Sequence, residues 1–422
     1  MVAPRPPVPP LIFTPVLGPS AEHLRPVVLA SVLKPLDDTR MREKLAATCL
    51  QRPDLRMHVA GRSTGGDLPF GLLADFPRIC HHDIFWGSRL GVNRLAAQGR
   101  YWRLLRRLRP SPTLVIVTAP ELLPLTLLWQ RLGHGRQFIY DIQENYAGNI
   151  RSQGVYPAAL RGLLAGLVRR VETAAARRAA ALLLAEASYA DELPFLAGLP
   201  AGRVLVLENK YQPQPGEVLP RAARPLPPPI EPLRLLFSGT LSELTGVREA
   251  IALARQLRAA WPGGVQLTIV GFCQQPALLA ELQNLARAEA AWLTLIGGAA
   301  LVPHAAIVAE IGRSHLGLLP YRPHPSTEHC QPTKLFEYLA HGLPVLVPPN
   351  PLWAGLVRQY TAGLVVDFTQ PEVAAAQVAA ALPTVVFYPT GPPTDEVLWA
   401  SEGKKLGHLL ESLLPPATFA PA

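Results

Sequence analysis

Lysine is the scarce residue of this chain, with six among forty basic positions. Cysteine is also sparse. Cys49, Cys80, Cys273 and Cys330 form no C-x-x-C pair and no spacing that suggests a metal cage. Four scattered thiols fit a reducing cytoplasmic compartment. His81-His82 is the only adjacent histidine pair, and no further ligands accompany it, so no metal is expected. No apolar run approaches the length of a membrane span. The start, Met1 to Pro10, is proline-rich without an apolar core, which excludes a secretory signal; residues 1–24 read as a disordered leader. A G-x-G-x-x-G turn is absent, so a dinucleotide reading has no support.

What is present is a 422-residue chain with 49% hydrophobic residues, enough for two domains of ordinary size. The richness in Ala, Leu, Pro and Arg points to a GC-rich bacterial genome rather than to a function. Charge is uneven. Residues 1–210 carry 27 basic and 16 acidic residues, a balance of +11, and residues 211–422 carry 13 and 15, a balance of −2. A basic first half suits an anionic partner: membrane phospholipid, a lipid-phosphate acceptor or, on charge alone, nucleic acid. The helix expected over 93–109 adds to this. It carries Arg94, Arg100, Arg103, Arg106, Arg107 and Arg109 beside Tyr101 and Trp102, with Leu104, Leu105 and Leu108 on its apolar side. Such a helix can lie on anionic lipid or cover a sheet with a solvated outer face.

Along the chain, apolar strands alternate with helical stretches. Strands are expected at 26–33, 55–60, 113–118, 137–141, 181–184 and 204–207. Asp37 or Asp38 would cap a helix over 40–50, and Ser188 one reaching Leu196. Asp141 and Glu144 stand at the carboxyl end of a buried strand, where carboxylates can serve chemistry in a crevice or cap a helix. Residues 211–232 hold eight prolines and read as a linker between a domain at 25–210 and one at 233–394. The second half repeats the pattern, with strands at 233–238, 265–270, 292–296, 316–320, 344–347 and 363–366. A last helix follows at about 396–414. Near-continuous apolar strands separated by helices predict α/β architecture with parallel sheets, two doubly wound Rossmann-like domains facing a crevice.

The chain is organised around residues 332–345, PTKLFEYLAHGLPV. Pro332 sets a turn, 334–341 reads as helix, Gly342 stops it and Pro344 starts a strand. Lys334, Glu337 and Tyr338 fall at i, i+3 and i+4, so a cation, a carboxylate and a phenol share a face. That face could hold a ribose and a diphosphate. The same spacing suits a surface helix with a solvated ion pair.

Lys334, Glu337, Tyr338, Ala340, Gly342, Pro344 and Val345 resemble the donor-site motif of GT-B-fold glycosyltransferases of family 4, glycosyl transferases group 1. Val265 to Phe272 resembles that family's Leu-x-Ile-Val-Gly strand and turn. Ser31 to Arg40 is similar to the opening of a bacterial subgroup, and Trp399 and Leu406 to anchors of a final helix that crosses back to the first domain. The resemblance spans about residues 26–414 and is strongest in the second domain. It implies transfer of a sugar, with retention, from a nucleotide-sugar donor to a glycan or lipid-linked acceptor in cell-surface polysaccharide synthesis. It also implies a cytoplasmic enzyme, peripheral on the membrane, without a metal or other cofactor; nucleic acid is not the expected partner. A sugar-nucleotide epimerase and a non-catalytic binding subunit on the same fold are the alternatives.

The implied donor contacts are Gly239, Thr240, Gly271, Phe272, Arg322, Glu328, His329, Thr333, Lys334 and Glu337. Asp141 and Glu144 are the implied catalytic carboxylates, and Lys34 and Arg40 lie on the acceptor side. The chain departs from the family at Gln143, which replaces a histidine, and at Thr240 and Thr245, which replace two cations. His329 stands where a first glutamate is usual, and Glu208 and Lys210 flank Asn209 in place of Pro-Asn-Gly.

Overall fold

The computed structural model describes residues 24–62, 77–86, 92–108, 111–152, 156–324 and 327–415. The expected leader therefore lies outside the described residues, except Leu24, which is buried beside the first strand. The chain divides into two compact units. One comprises Met1–Asp141 with Gly162–Ala180, and the other Ile142–Arg161 with Ala181–Ala422. That division does not coincide with the proline-rich segment.

In chain order the first sheet contains β1 (Arg25–Pro35), β2 (Leu55–Arg62), β3 (Ile79–Phe85), β4 (Leu114–Val117), β5 (Gln137–Ile142), β6 (Ala181–Leu184) and β7 (Val204–Val206). Its order is β3-β2-β1-β4-β5-β6-β7. β1, flanked in parallel by β2 and β4, is central, and Val27 to Ala30 are fully buried. A strand covered on both faces needs such an unbroken apolar run. β3 was not foreseen, because ICHHDIF carries polar residues on an edge strand. Its pairing with β2 is parallel.

Among the helices, α1 follows β1. It is π-helical over Arg40–Ala46 and α-helical over Ala47–Cys49. Asp38 accepts the amide of Met41 at 3.0 Å and so supplies the expected cap. α2 (Val92–Arg107) and α3 (Leu123–Arg131) come next. α2 buries Ala97, Tyr101, Leu104 and Leu105, and the Tyr101 hydroxyl meets Thr126 Oγ1 at 2.8 Å. Tyr101 therefore belongs to the core and is not an interfacial aromatic. α4 (Tyr146–Ser152), α5 (Ala158–Ala176) and α6 (Tyr189–Glu192) complete this half. The helix expected to reach Leu196 stops at Glu192, before Pro194, and Ser188 makes no capping bond. Proline lacks the amide that would continue it.

The second sheet is β8 (Leu233–Thr240), β9 (Val265–Phe272), β10 (Leu293–Gly298), β11 (Leu316–Leu318), β12 (Val345–Val347) and β13 (Gly363–Val365). Its order, β10-β9-β8-β11-β12-β13, is doubly wound, with the direction of winding reversing between β8 and β11. Ligand crevices form outside the carboxyl ends of strands at such a switch point. The covering helices are α7 (Val247–Ala260), α8 (Pro276–Ala288), α9 (His304–Arg313), α10 (Thr333–Ala340), α11 (Pro351–Gln359) and α12 (Pro371–Ala381). A final helix, α13 (Trp399–Leu413), buries Trp399 and Leu406 and holds Lys210 through Glu402 at 2.6 Å.

The segment 211–232 has no helix or strand of its own, yet it is not a free tether. Tyr211 is buried in the core of the second sheet, and its backbone bonds Val397 and Trp399. Among the described residues no helix is long and apolar enough to cross a membrane.

Candidate functional site

Two glycines prepare the switch point of the second sheet. Gly239, near the end of β8, has φ +98°. A β-carbon on Gly271, its parallel partner on β9, would overlap the Gly239 carbonyl oxygen. A β-carbon on Gly239 would collide with Lys334, 2.5 Å from the ammonium nitrogen. Lys334 thus crosses the bare backbone of Gly239, reaching from the first turn of α10. Its ammonium also lies 5.5 Å from the ring centre of Phe237 and 5.7 Å from that of Tyr321. Burial lowers its pKa to about 8, against the opposing pull of Glu337.

α10 is not a solvated surface helix. Leu335 to Ala340 are all buried. Tyr338 turns into the core, where its hydroxyl meets Ser238 Oγ at 2.7 Å, so it does not share a ligand face with Lys334. Burial pushes its phenol pKa up. Glu337 is 7% exposed and accepts a 2.6 Å bond from His304 Nε2, at the start of α9.

Behind this pair runs a polar string that no local pattern reveals. Tyr211 lies near both His304 and His341, with ring centres 6.0 and 5.3 Å apart. Its hydroxyl donates to Glu217 Oε1 at 2.7 Å, and His341 Nε2 stands 3.1 Å from the same oxygen. Burial lowers the pKa of His341, and Glu217 opposes that shift. The proline-rich segment thus brings a phenol and a carboxylate to the back of the motif helix.

The substituted cation positions have clear structural uses. Thr245 Oγ1 donates to Thr240 O at 2.8 Å and accepts the Ser242 amide at 3.1 Å, bracing the loop before α7. Thr240 is exposed, and its neighbour in register is Phe272. Arg322, nominated as a second cation for a diphosphate, is tied to Glu249 at 2.6 Å and lies 3.6 Å from Glu243. Two carboxylates therefore offset its charge.

The remaining candidates are spread more widely. Thr333 is exposed at the first position of α10. Glu328 is exposed, and its carbonyl accepts Asn350 Nδ2 at 2.7 Å. His329 borders a cleft of about 410 Å³, with Gln331 on its side and Glu186, Asp191, Glu192 and Glu208 opposite. Glu144 accepts Asn149 Nδ2 at 2.9 Å, and Asn145 rather than Asp141 caps α4, through the Gly148 amide at 3.1 Å.

In the first unit, Asp141 is fully buried and bound by Arg40 through Nη2 at 2.6 Å and Nε at 3.1 Å. An implied catalytic carboxylate and an implied acceptor-side cation are therefore partners of each other. Lys34 pairs with Asp38 at 3.6 Å. Among the described residues no group of three or more His, Cys, Asp or Glu is arranged to hold a metal ion.

Two doubly wound parallel sheets, with a lysine and a glutamate presented at a switch point by a loop and helix, define a GT-B fold. Comparison with known proteins agrees. Residues 232–383 match the family model Glycosyl transferases group 1. A glycosyltransferase from Rickettsia africae ESF-5 superposes with a TM-score of 0.61 at 11% identity, covering 93% of this chain and 100% of that one. Anabaena HepE, solved with UDP and glucose, gives 0.60 at 14% identity, covering 92% and 100%. WaaG, a glycosyltransferase of lipopolysaccharide biosynthesis, gives 0.56 at 15%, covering 91% and 95%. No curated protein matches the chain in sequence.

Proposed function

We propose that the protein transfers a sugar, with retention, from a nucleotide-sugar donor to a glycan or lipid-linked acceptor in cell-surface polysaccharide synthesis. The observation that carries this reading is the Lys334 ammonium lying over Gly239, one helical turn from the buried Glu337 carboxylate. Lys334 meets the donor diphosphate and stabilises the charge that grows as the bond from the anomeric carbon to the diphosphate oxygen breaks. Glu337, fixed by His304, accepts the ribose hydroxyls. The acceptor hydroxyl oxygen forms the new bond at the same carbon, and its proton passes to the departing diphosphate oxygen. The protein's part is electrostatics and placement. Glu144, partly exposed, serves the sugar or acceptor. Asp141 is held by Arg40 within the first unit. Two further solved complexes give this reading weight at the level of the donor: a trehalose-6-phosphate protein from E. coli is solved with UDP-2-fluoro glucose, and MnaA from S. aureus with UDP.

Glu337→Ala is expected to abolish transfer and donor hydrolysis while leaving the thermal melt intact; full activity in this variant would sink the reading. A second reading, a binding subunit without catalysis, is favoured by the use of Thr245 within its own loop and by the pairing of Arg322. Donor binding without turnover, across UDP-, GDP- and ADP-sugars, would select it.

A further inference from the structure

The edge strand β3 and helix α2 enclose a second cavity, of about 490 Å³, in the first unit. Arg100, Arg103 and Arg107 border it from α2, and His81, His82 and Asp83 from β3. The three arginines fall at i, i+3 and i+7, so they form one stripe along the helix. Arg100 is held in place: its guanidinium carbon lies 3.4 Å from the centre of the Trp86 ring, and Nη1 donates to Ile84 O at 3.1 Å. Arg103 makes only a 3.3 Å bond to Gly99 O one turn back. Among the described residues none of the three forms an ion pair, although nine other arginines do. His81 Nε2 is buried without a hydrogen-bond partner. The one carboxylate of the lining, Asp83, is exposed.

Three guanidiniums gathered around one space repel one another unless an anion offsets them. Their planar donors match the oxygens of a phosphate. We propose that this cavity is a phosphate-binding site, separate from the donor site of the second unit. Its ligand is a phosphate or diphosphate group, carried either by a lipid headgroup or by a soluble phosphate ester. Arg103 and Arg107, both exposed, grip the oxygens, and Arg100, fixed against Trp86, closes the inner side.

The test uses the full chain in the Lys334→Ala background, so that the donor site does not contribute. Inorganic pyrophosphate is titrated by calorimetry, and co-sedimentation is measured with vesicles of phosphatidylcholine, with and without phosphatidylglycerol. Arg103→Glu/Arg107→Glu is compared with Arg131→Glu/Arg177→Glu, which makes the same change in net charge elsewhere on the first unit. Affinity should fall at least about tenfold in the first double variant and stay within about twofold in the second. Saturable pyrophosphate binding would assign a soluble phosphate ester; binding only to phosphatidylglycerol vesicles would assign a lipid headgroup. Equal losses in the two doubles, or no binding to either probe, would overturn the proposal. Should the Glu double variant fail to fold, the exposed single change Arg107→Gln must still weaken binding.

Discussion

The ammonium nitrogen of Lys334 stands 2.5 Å from the point that a β-carbon on Gly239 would occupy. A strand end and a helix separated by almost a hundred residues are thereby fitted to each other. The glycine is required by the lysine as much as by its own backbone, whose φ of +98° already disfavours a side chain.

Gly239→Ala should therefore act twice. The strained backbone costs of order 1–3 kcal/mol of stability. The displaced lysine should weaken nucleotide-sugar binding at least about tenfold, because a misplacement near 1 Å is already costly. Denaturant unfolding and calorimetry on the same preparation read both effects; a variant that loses stability but binds normally would separate Lys334 from the site.

His304 holds Glu337 Oε1 at 2.6 Å. His304→Ala should raise the donor KM about ten- to a hundredfold, the effect of losing one hydrogen bond to a charged group. His304→Gln, which keeps a donor, should recover part of it, with kcat little changed in either. An unchanged KM in the alanine variant would show that Glu337 needs no such support.

Arg40 and Asp141 are 3% and 0% exposed and bound to each other. Removing one partner leaves a buried charge and should cost about 3–5 kcal/mol, whereas replacing both with apolar residues costs less. Unfolding of Asp141→Asn, Arg40→Met and the double Arg40→Met/Asp141→Leu forms the cycle that measures this. Additive losses would mean that the pair is not coupled.

His58 and His82 share a 2.9 Å contact between ring nitrogens in the first unit. Burial first, then the neighbouring charge of His82, lowers the His58 pKa to about 4, and burial lowers that of His82. The unfolded chain therefore binds protons that the folded chain does not. Stability should be fully present above the unfolded pKa near 6.5 and decline as pH falls toward 4. Urea unfolding across that range should show a flatter profile in His58→Phe/His82→Leu; an identical slope in both proteins would exclude this pair as the cause.

Much of the architecture is legible in the sequence because fully buried parallel strands must be apolar on both faces. Val27 to Ala30 and Val345 to Val347 show this plainly. The edge strand β3 escaped the same rule because one side of it stays open. Helical spacing placed Tyr338 beside Glu337 but could not say that its hydroxyl seeks Ser238, a hundred residues earlier. Tyr211, Glu217, His304 and His341 meet only through tertiary packing, and nothing within any one segment announces that. The fate of Arg322 was likewise invisible, since its partners Glu243 and Glu249 belong to another part of the chain.

The most direct test of the central claim is donor affinity as a function of pH, measured for wild type and Lys334→Met against a panel of UDP-, GDP- and ADP-sugars. Lys334 is charged below its folded pKa of about 8 and must regain a proton to meet a diphosphate above it. Wild-type affinity should therefore be level below that pH and fall about tenfold per unit above it. Lys334→Met should bind weakly with no such break. Equal affinity and an equal pH profile in the two proteins would contradict the assignment of Lys334 to the donor diphosphate.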